Sequence, residues 1–347
     1  MNKKLCMDGG GGMICSRFLV FALAFAIPGL PGLAVEPGLP SKTAVMTTAA
    51  RAIGTYDPDP SVRNPDWLAE HFLGPTERRL LDGTPWLNGL AQDYRELSRI
   101  PEVEPVVRYL LVRTKFIDER LIRAVEGGAT QVIVLGAGFD SRAYRLRELL
   151  KGVRFIEVDF GPTQEYKKRR VRDVLGCLPE NVTYAPIDFT REKLEDVLQR
   201  TGYRPDQRSF FIWEGVTFYL PEEAVRGTLR YVSTKSASGS SIVADFTKKS
   251  VIDDIGKGAI DAAPVIMQAV LVQARRAAAF GEPWQFGIPD DHEREFLHNL
   301  GLELRELLSP AGAEAVRRYR TRRDGSVMGG VPASDYSAAV LLEAEVP

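Results

Sequence analysis

The chain has 347 residues, of which 44% are hydrophobic and 26% charged, enough apolar material for a full core in one large domain or two small ones. Its 45 basic and 46 acidic side chains give a net charge of −1, so no global field gathers a polyanion; nucleic acid is not expected as a partner, and a small-molecule or protein substrate is. Cys6, Cys15 and Cys177 stand at no spacing that suits zinc, so neither a disulfide framework nor a metal site is expected.

Residues 1–40 run through a glycine tract (Gly9 to Gly12), Arg17, the apolar stretch FLVFALAFAI at 18–27, and PGLPGLA ending at Ala34. That order matches an n-region, an h-region and a small-residue cleavage-like site. The apolar stretch is short for a membrane span. Three readings stay open: an export signal or anchor, a start assigned upstream of the real one, and an ordered part of the fold. Membrane association is expected only through residues 18–35. The catalytic body is expected in the cytoplasm, with export or attachment left open by this segment.

Residues 41–128 read as a helical cap, with breaks at Asp57-Pro58-Asp59-Pro60 and Gly83-Thr84-Pro85 and with Trp67, Leu68 and Phe72 at helical spacing. From 129 to 347 the character changes to an α/β domain. Strand-like runs occur at 131–136 (QVIVLG), 153–159 (VRFIEVD), 181–187 (NVTYAPI), 209–214 (SFFIWE) and 240–246 (SSIVADF), separated by helical stretches. Strands alternating with helices predict right-handed βαβ units and a parallel sheet. An apolar, alanine-rich insert at 251–285 reads as one or two helices ending in Gly281-Glu282-Pro283-Trp284, and is a candidate lid. A helix starting near Asp290 and strands at 302–308 and 336–346 complete the pattern.

Chemistry enters at V-L-G-A-G-F-D-S-R, 134–142, where a buried-type strand ends in Gly136-x-Gly138 and a helix follows with Asp140 or Ser141 able to cap it. The glycines let a ligand approach the backbone. A dinucleotide fingerprint would need a third glycine at 141, where Ser141 stands, which argues against NAD. About twenty residues on, the second strand ends in Glu157-Val158-Asp159, where open α/β sheets place a carboxylate for ribose hydroxyls. Asp188 follows the third strand and Glu214 the fourth. Acids at successive strand ends line one crevice, although helix N-capping is the plainer explanation for each Asp alone.

These residues resemble the leucine carboxyl methyltransferases and the related bacterial S-adenosylmethionine-dependent O-methyltransferases. The likeness rests on S-K-T-A at 41–44, R-T-K-F-I-D at 113–118, L-G-A-G-F-D-S-R at 135–142, E-V-D-F at 157–160, I-D-F at 187–189 and W-E-G-V-T-F-Y-L at 213–220, in the family's order. It implies a Rossmann-like class I methyltransferase sheet, mostly parallel with an antiparallel last strand, and S-adenosyl-L-methionine as cofactor. It also implies that Arg113 pairs with the methionyl carboxylate, Gly136 lies against the cofactor beside Gly138, and Asp159 holds the ribose. Asp188 and Phe189 should bracket the adenine, Glu214 should lie near the methionine part, and Lys42 should add a second cation.

Methyl transfer from a sulfonium asks mainly for alignment and exclusion of water. A carboxylate acceptor needs no base; a hydroxyl does, and Tyr219 and Glu214 are the nearest candidates. A nucleotide-cofactor oxidoreductase and a non-catalytic S-adenosyl-binding protein are the alternatives. His292-Glu293 lacks the second histidine of a zincin, since Phe296 stands there. The basic run Lys167 to Arg170 is expected to be a solvated helix face. Phe218, Tyr219, Phe280, Trp284 and Phe286 are read as core more than pocket.

Overall fold

The computed structural model describes residues 41–74, 103–188, 192–257, 265–279, 281–330 and 337–347. The signal-like segment, Phe189, Phe280 and the Gly83-Thr84-Pro85 break lie outside them. Helix α1, Lys42–Gly54, is capped by the Ser41 hydroxyl, which accepts from the Ala44 N–H. Asp57-Pro58-Asp59-Pro60 breaks the helical pattern as expected and leads into a 3-10 turn at Pro60–Val62. Helix α2, Glu104–Glu126, starts with Pro105 in its first turn, where the missing N–H costs nothing.

Seven strands follow: β1 Gln131–Leu135, β2 Arg154–Asp159, β3 Val182–Pro186, β4 Ser209–Trp213, β5 Ser241–Thr247, β6 Glu303–Leu308 and β7 Ala339–Glu345. They form one sheet in the order β3-β2-β1-β4-β5-β7-β6. β7 runs antiparallel to both of its neighbours and the other pairings are parallel, as the resemblance implied. Each predicted strand is present to within a few residues.

Alternation along the strands builds two core layers. On one face Ile133, Leu135, Ile156 and Phe211 pack with Val225, Leu229 and Val232 of helix Glu222–Lys235. On the other, Val132, Val134, Phe155 and Phe210 pack with Val112, Phe116 and Leu121 of α2. The strand order reverses between β1 and β4, which opens a crevice at their carboxyl ends. Two helices of the 251–285 insert are described, Lys249–Lys257 and Val265–Ala279.

One expectation fails on helix Gly161–Leu175. Lys167, read as part of a solvated basic face, is buried and pairs with Glu157 at 2.7 Å, both side chains 1% exposed. Glu157 and Asp159 sit on the same side of β2 by parity, but Glu157 lies two residues deeper, where the Tyr144 hydroxyl also donates to it. A buried carboxylate demands a partner, and the nearest turn of helix supplies Lys167. Among the described residues no helix is long and apolar enough to cross a membrane.

Candidate active site

β1 ends because Gly136 turns the chain with φ 67°. A Cβ there would fall 2.3 Å from Cγ2 of Val216, so the loop after β4 presses onto bare backbone. Two residues on, the Gly138 N–H donates to Asp159 Oδ2 at 2.6 Å, and the Phe160 N–H donates to Oδ1 at 2.7 Å. The carboxylate at the end of β2 is thereby fixed beside the glycine turn. Burial pushes its carboxyl up to about 6, against the pull of the Phe160 N–H, Lys167 and the Gly138 N–H. Ile187, just past β3, donates its N–H to the Asp159 carbonyl, so Asp188 follows directly on the neighbouring strand end. The short helix Arg142–Arg145 has Ser141 at its N-cap without a side-chain cap bond: the Ser141 hydroxyl turns to Asp66 at 2.5 Å, and Asp140, one residue earlier, accepts from the Arg142 N–H at 2.8 Å.

Arg113 lies on α2 one turn after Tyr109, so both side chains face the sheet. Its Nη1 donates to Asp245 at 2.7 Å and its Nε stands 2.9 Å from Glu214 Oε1. Glu214, immediately after β4, also accepts from Arg142 Nη1 at 2.7 Å. Burial opposes its charge, yet Arg142 and then Arg113 hold the Glu214 carboxyl well below the usual range. Arg142 continues the chain to Asp140 and, at 2.8 Å, to Asp118. Asp118 accepts from Arg145, and Asp66 from Arg51 at 2.8 Å. A buried network of alternating charge therefore runs under the crevice.

The structure brings Arg113, Gly136, Gly138, Asp159, Asp188 and Glu214 to the carboxyl ends of β1 to β4. Lys42 begins α1, whose Ala44 Cβ would lie 3.7 Å from a Cβ on Gly138. Sequence reasoning did not single out Asp66, Asp118, Arg142 or Asp245. Asp118 and Arg142 stand inside the quoted motifs, and Asp245 is an acid in an otherwise apolar strand, a signal available from the sequence.

The turn Thr217–Tyr219 after β4 and the end of the insert together form a wall of rings. Phe218 packs on Trp284 with centroids 4.8 Å apart, and the Gln285 N–H donates to the Phe218 carbonyl at 2.6 Å. Glu282 accepts from the hydroxyls of Ser41 at 2.9 Å and Thr43 at 2.6 Å, which ties the insert to α1. Burial and the Glu282 charge push the Tyr219 phenol up to about 12, with Thr43 and Trp284 acting against them. The Trp284 indole Nε1 is buried and makes no aligned hydrogen bond. Phe286, by contrast, is core, as expected.

The family model described as leucine carboxyl methyltransferase matches residues 44–233, more than half of the chain and all the strand ends just described. The chain belongs to the leucine carboxyl methyltransferase family. A Frankia alni protein named "Putative S-adenosyl-L-methionine-dependent methyltransferase" is 35% identical over 222 residues, 63% of this chain and 73% of its own. A Streptomyces avermitilis protein of like name is 37% identical over 234 residues, 66% of this chain and 76% of its own. The protein is an S-adenosylmethionine-dependent methyltransferase with a class I α/β sheet, and the oxidoreductase alternative falls.

The donor set suits that cofactor. A guanidinium suits a carboxylate, an ionised acid at the end of β2 suits a ribose diol, and the glycine turn leaves backbone free for close approach. Asp159 keeps that capacity, because each of its oxygens accepts only one backbone N–H and has a lone pair to spare.

Proposed function

We propose that this methyltransferase acts on oxygen, of a carboxylate or a hydroxyl, on a small lipophilic or peptide-terminal acceptor. The observation that carries the reading is the polar end of the ring-lined wall: a phenol held protonated at Tyr219, with the buried Trp284 indole beside it. Donors of this kind suit an oxygen, whose lone pairs accept while one attacks. The family's description, leucine carboxyl methyltransferase, points the same way.

In this reading Arg113 and Glu214 hold the methionine end, Asp159 the ribose, and Asp188 with Phe189 the adenine; Lys42 adds a cation from α1. Residues 41–128 act as a cap on the α/β part at 129–347, and the 251–285 insert closes the acceptor side against water. When bound, the cofactor supplies a methyl group already activated by its sulfonium. Tyr219 orients the acceptor oxygen, and Glu282, two hydroxyls away, is the nearest carboxylate to take a proton from a hydroxyl acceptor.

The test is incubation of the full chain with isotope-labelled S-adenosylmethionine and cell extract, followed by mass spectrometry. Labelled methyl esters, lost in mild base, or labelled ethers, stable to it, are expected. Label found only on nitrogen or carbon would refute oxygen as the acceptor.

A further inference from the structure

β5 is Ser-Ile-Val-Ala-Asp-Phe-Thr, buried at every position, and Asp245 within it has no measurable exposure. An acid so placed needs compensation, and it has three donors on its carboxylate. Oδ2 accepts from Arg113 Nη1 at 2.7 Å and from the Tyr109 hydroxyl at 2.9 Å, while Oδ1 accepts from the Gly215 N–H at 2.6 Å. Its backbone carbonyl accepts from the Thr217 hydroxyl at 2.7 Å. Asp245 therefore joins α2 to the turn after β4, the two elements that carry Arg113 and Glu214.

That turn shapes the seat of the guanidinium. Gly215 has φ 69°, and a Cβ on it would stand 3.4 Å from Arg113 Nη1 and 3.7 Å from Nη2, so the group rests against bare backbone. Asp245 holds the Nη1 corner and Glu214 faces Nε. The contacts to these two carboxylates use Nη1 and Nε, not Nη2.

We propose that Asp245 is a positioning residue for cofactor binding: it locks the Arg113 guanidinium so that the Nη2 corner is kept for the cofactor's carboxylate. This rests on the reading that Arg113 takes that carboxylate. The sign of the effect separates locking from charge alone. Removing a neighbouring anion would, by charge alone, strengthen the pull of Arg113 on a carboxylate. Loss of the lock weakens it, because Asn offers one oxygen and two N–H donors where three donors already converge.

The experiment is calorimetry of the full chain with two probes, S-adenosylhomocysteine and 5′-methylthioadenosine, the second lacking the amino-acid end. Asp245→Asn is expected to lower S-adenosylhomocysteine affinity about tenfold while methylthioadenosine affinity stays within about threefold. Tyr109→Phe removes a single donor and keeps the ring under Arg113; a smaller loss, about two- to fivefold, is expected with the same selectivity, and this variant decides the matter if Asp245→Asn does not fold. Unchanged or tighter S-adenosylhomocysteine binding overturns the proposal, as does equal loss for both probes, which marks a merely structural role. Arg113→Lys separates the two layers. If it alone loses the preference for S-adenosylhomocysteine, only the role of Asp245 falls; if it keeps the preference, the assignment of Arg113 falls first.

Discussion

On the floor of the crevice Arg113, Arg142 and Glu214 each touch two or more opposite charges and are almost wholly buried. The ring-bearing wall, from Phe218 to Trp284 and the first turn of α1, is joined by ring contacts, backbone bonds and two hydroxyls on Glu282. The difference matches what the proposed function gives each side to bind. A zwitterionic end common to every turnover justifies fixed, desolvated charge, whose rearrangement is costly. A lipophilic acceptor, as proposed, is better met by rings and short polar bonds, where substitution costs little and shape changes readily. Floor variants should therefore affect stability and cofactor together, and wall variants the acceptor alone.

Arg113→Ala should give the largest effect. It leaves Asp245 and Glu214 without their shared cation, and breaking a buried pair in this way costs about 3–5 kcal/mol. Urea unfolding should show a loss of that size, and calorimetry should show no S-adenosylhomocysteine binding at concentrations that saturate wild type. A variant as stable as wild type would mean that the floor is not held by charge.

Next comes Asp159, at the rim of the floor. Asp159→Ala should weaken cofactor binding by about 1.5–3 kcal/mol, the usual worth of hydrogen bonds to a charged group, and leave the fold intact. A pH effect accompanies it. Because its carboxyl is raised from 3.8 to about 6, the fold favours the protonated form: its contribution to stability is present at low pH and is lost as pH rises toward 6. Binding runs the other way, since the ionised form accepts ribose hydroxyls, so affinity should rise with pH through about 6. Asp159→Asn should flatten that rise. An unchanged pH profile in the variant would move the titrating group elsewhere.

A moderate effect is expected where wall meets cap. Glu282→Ala removes the acceptor of the Ser41 and Thr43 hydroxyls and should cost about 1 kcal/mol of stability, with α1 more open to protease at its start. Equal cleavage in variant and wild type would show that the contact does not hold α1.

How much of this was legible in the sequence follows the same division. Strand ends announce themselves, because Gly136, Asp159 and Glu214 each close an apolar run at a fixed place in the βαβ rhythm. The seven strands were readable for the same reason. Pairing within the floor was not: Arg142 and Asp118 stand in recognisable motifs, yet nothing in spacing says that they meet each other and Glu214 rather than solvent. Lys167 shows the limit most plainly. Its four-residue basic run reads as a wet helix face, and only the buried Glu157 on the adjacent strand makes one of the four a core residue. Asp245 was visible as an acid in a buried strand, but its three donors come from segments far apart in the chain.

Trp284 offers the smallest expected effect on cofactor binding and the sharpest test of the division. The ring packs on Phe218 and its indole stands beside the Tyr219 phenol, so Trp284→Ala removes one aromatic contact worth about 0.5–1.5 kcal/mol beyond its area together with a donor near that phenol. None of the bonds made by Arg113, Asp159 or Glu214 involves it. S-adenosylhomocysteine affinity should stay within about threefold, under about 1 kcal/mol. Acceptor selectivity, read from the spectrum of labelled products in cell extract, should change, because both the ring and the donor beside Tyr219 are gone. A parallel loss of cofactor affinity would place Trp284 with the floor, and an unaltered product spectrum would move the acceptor pocket away from this wall.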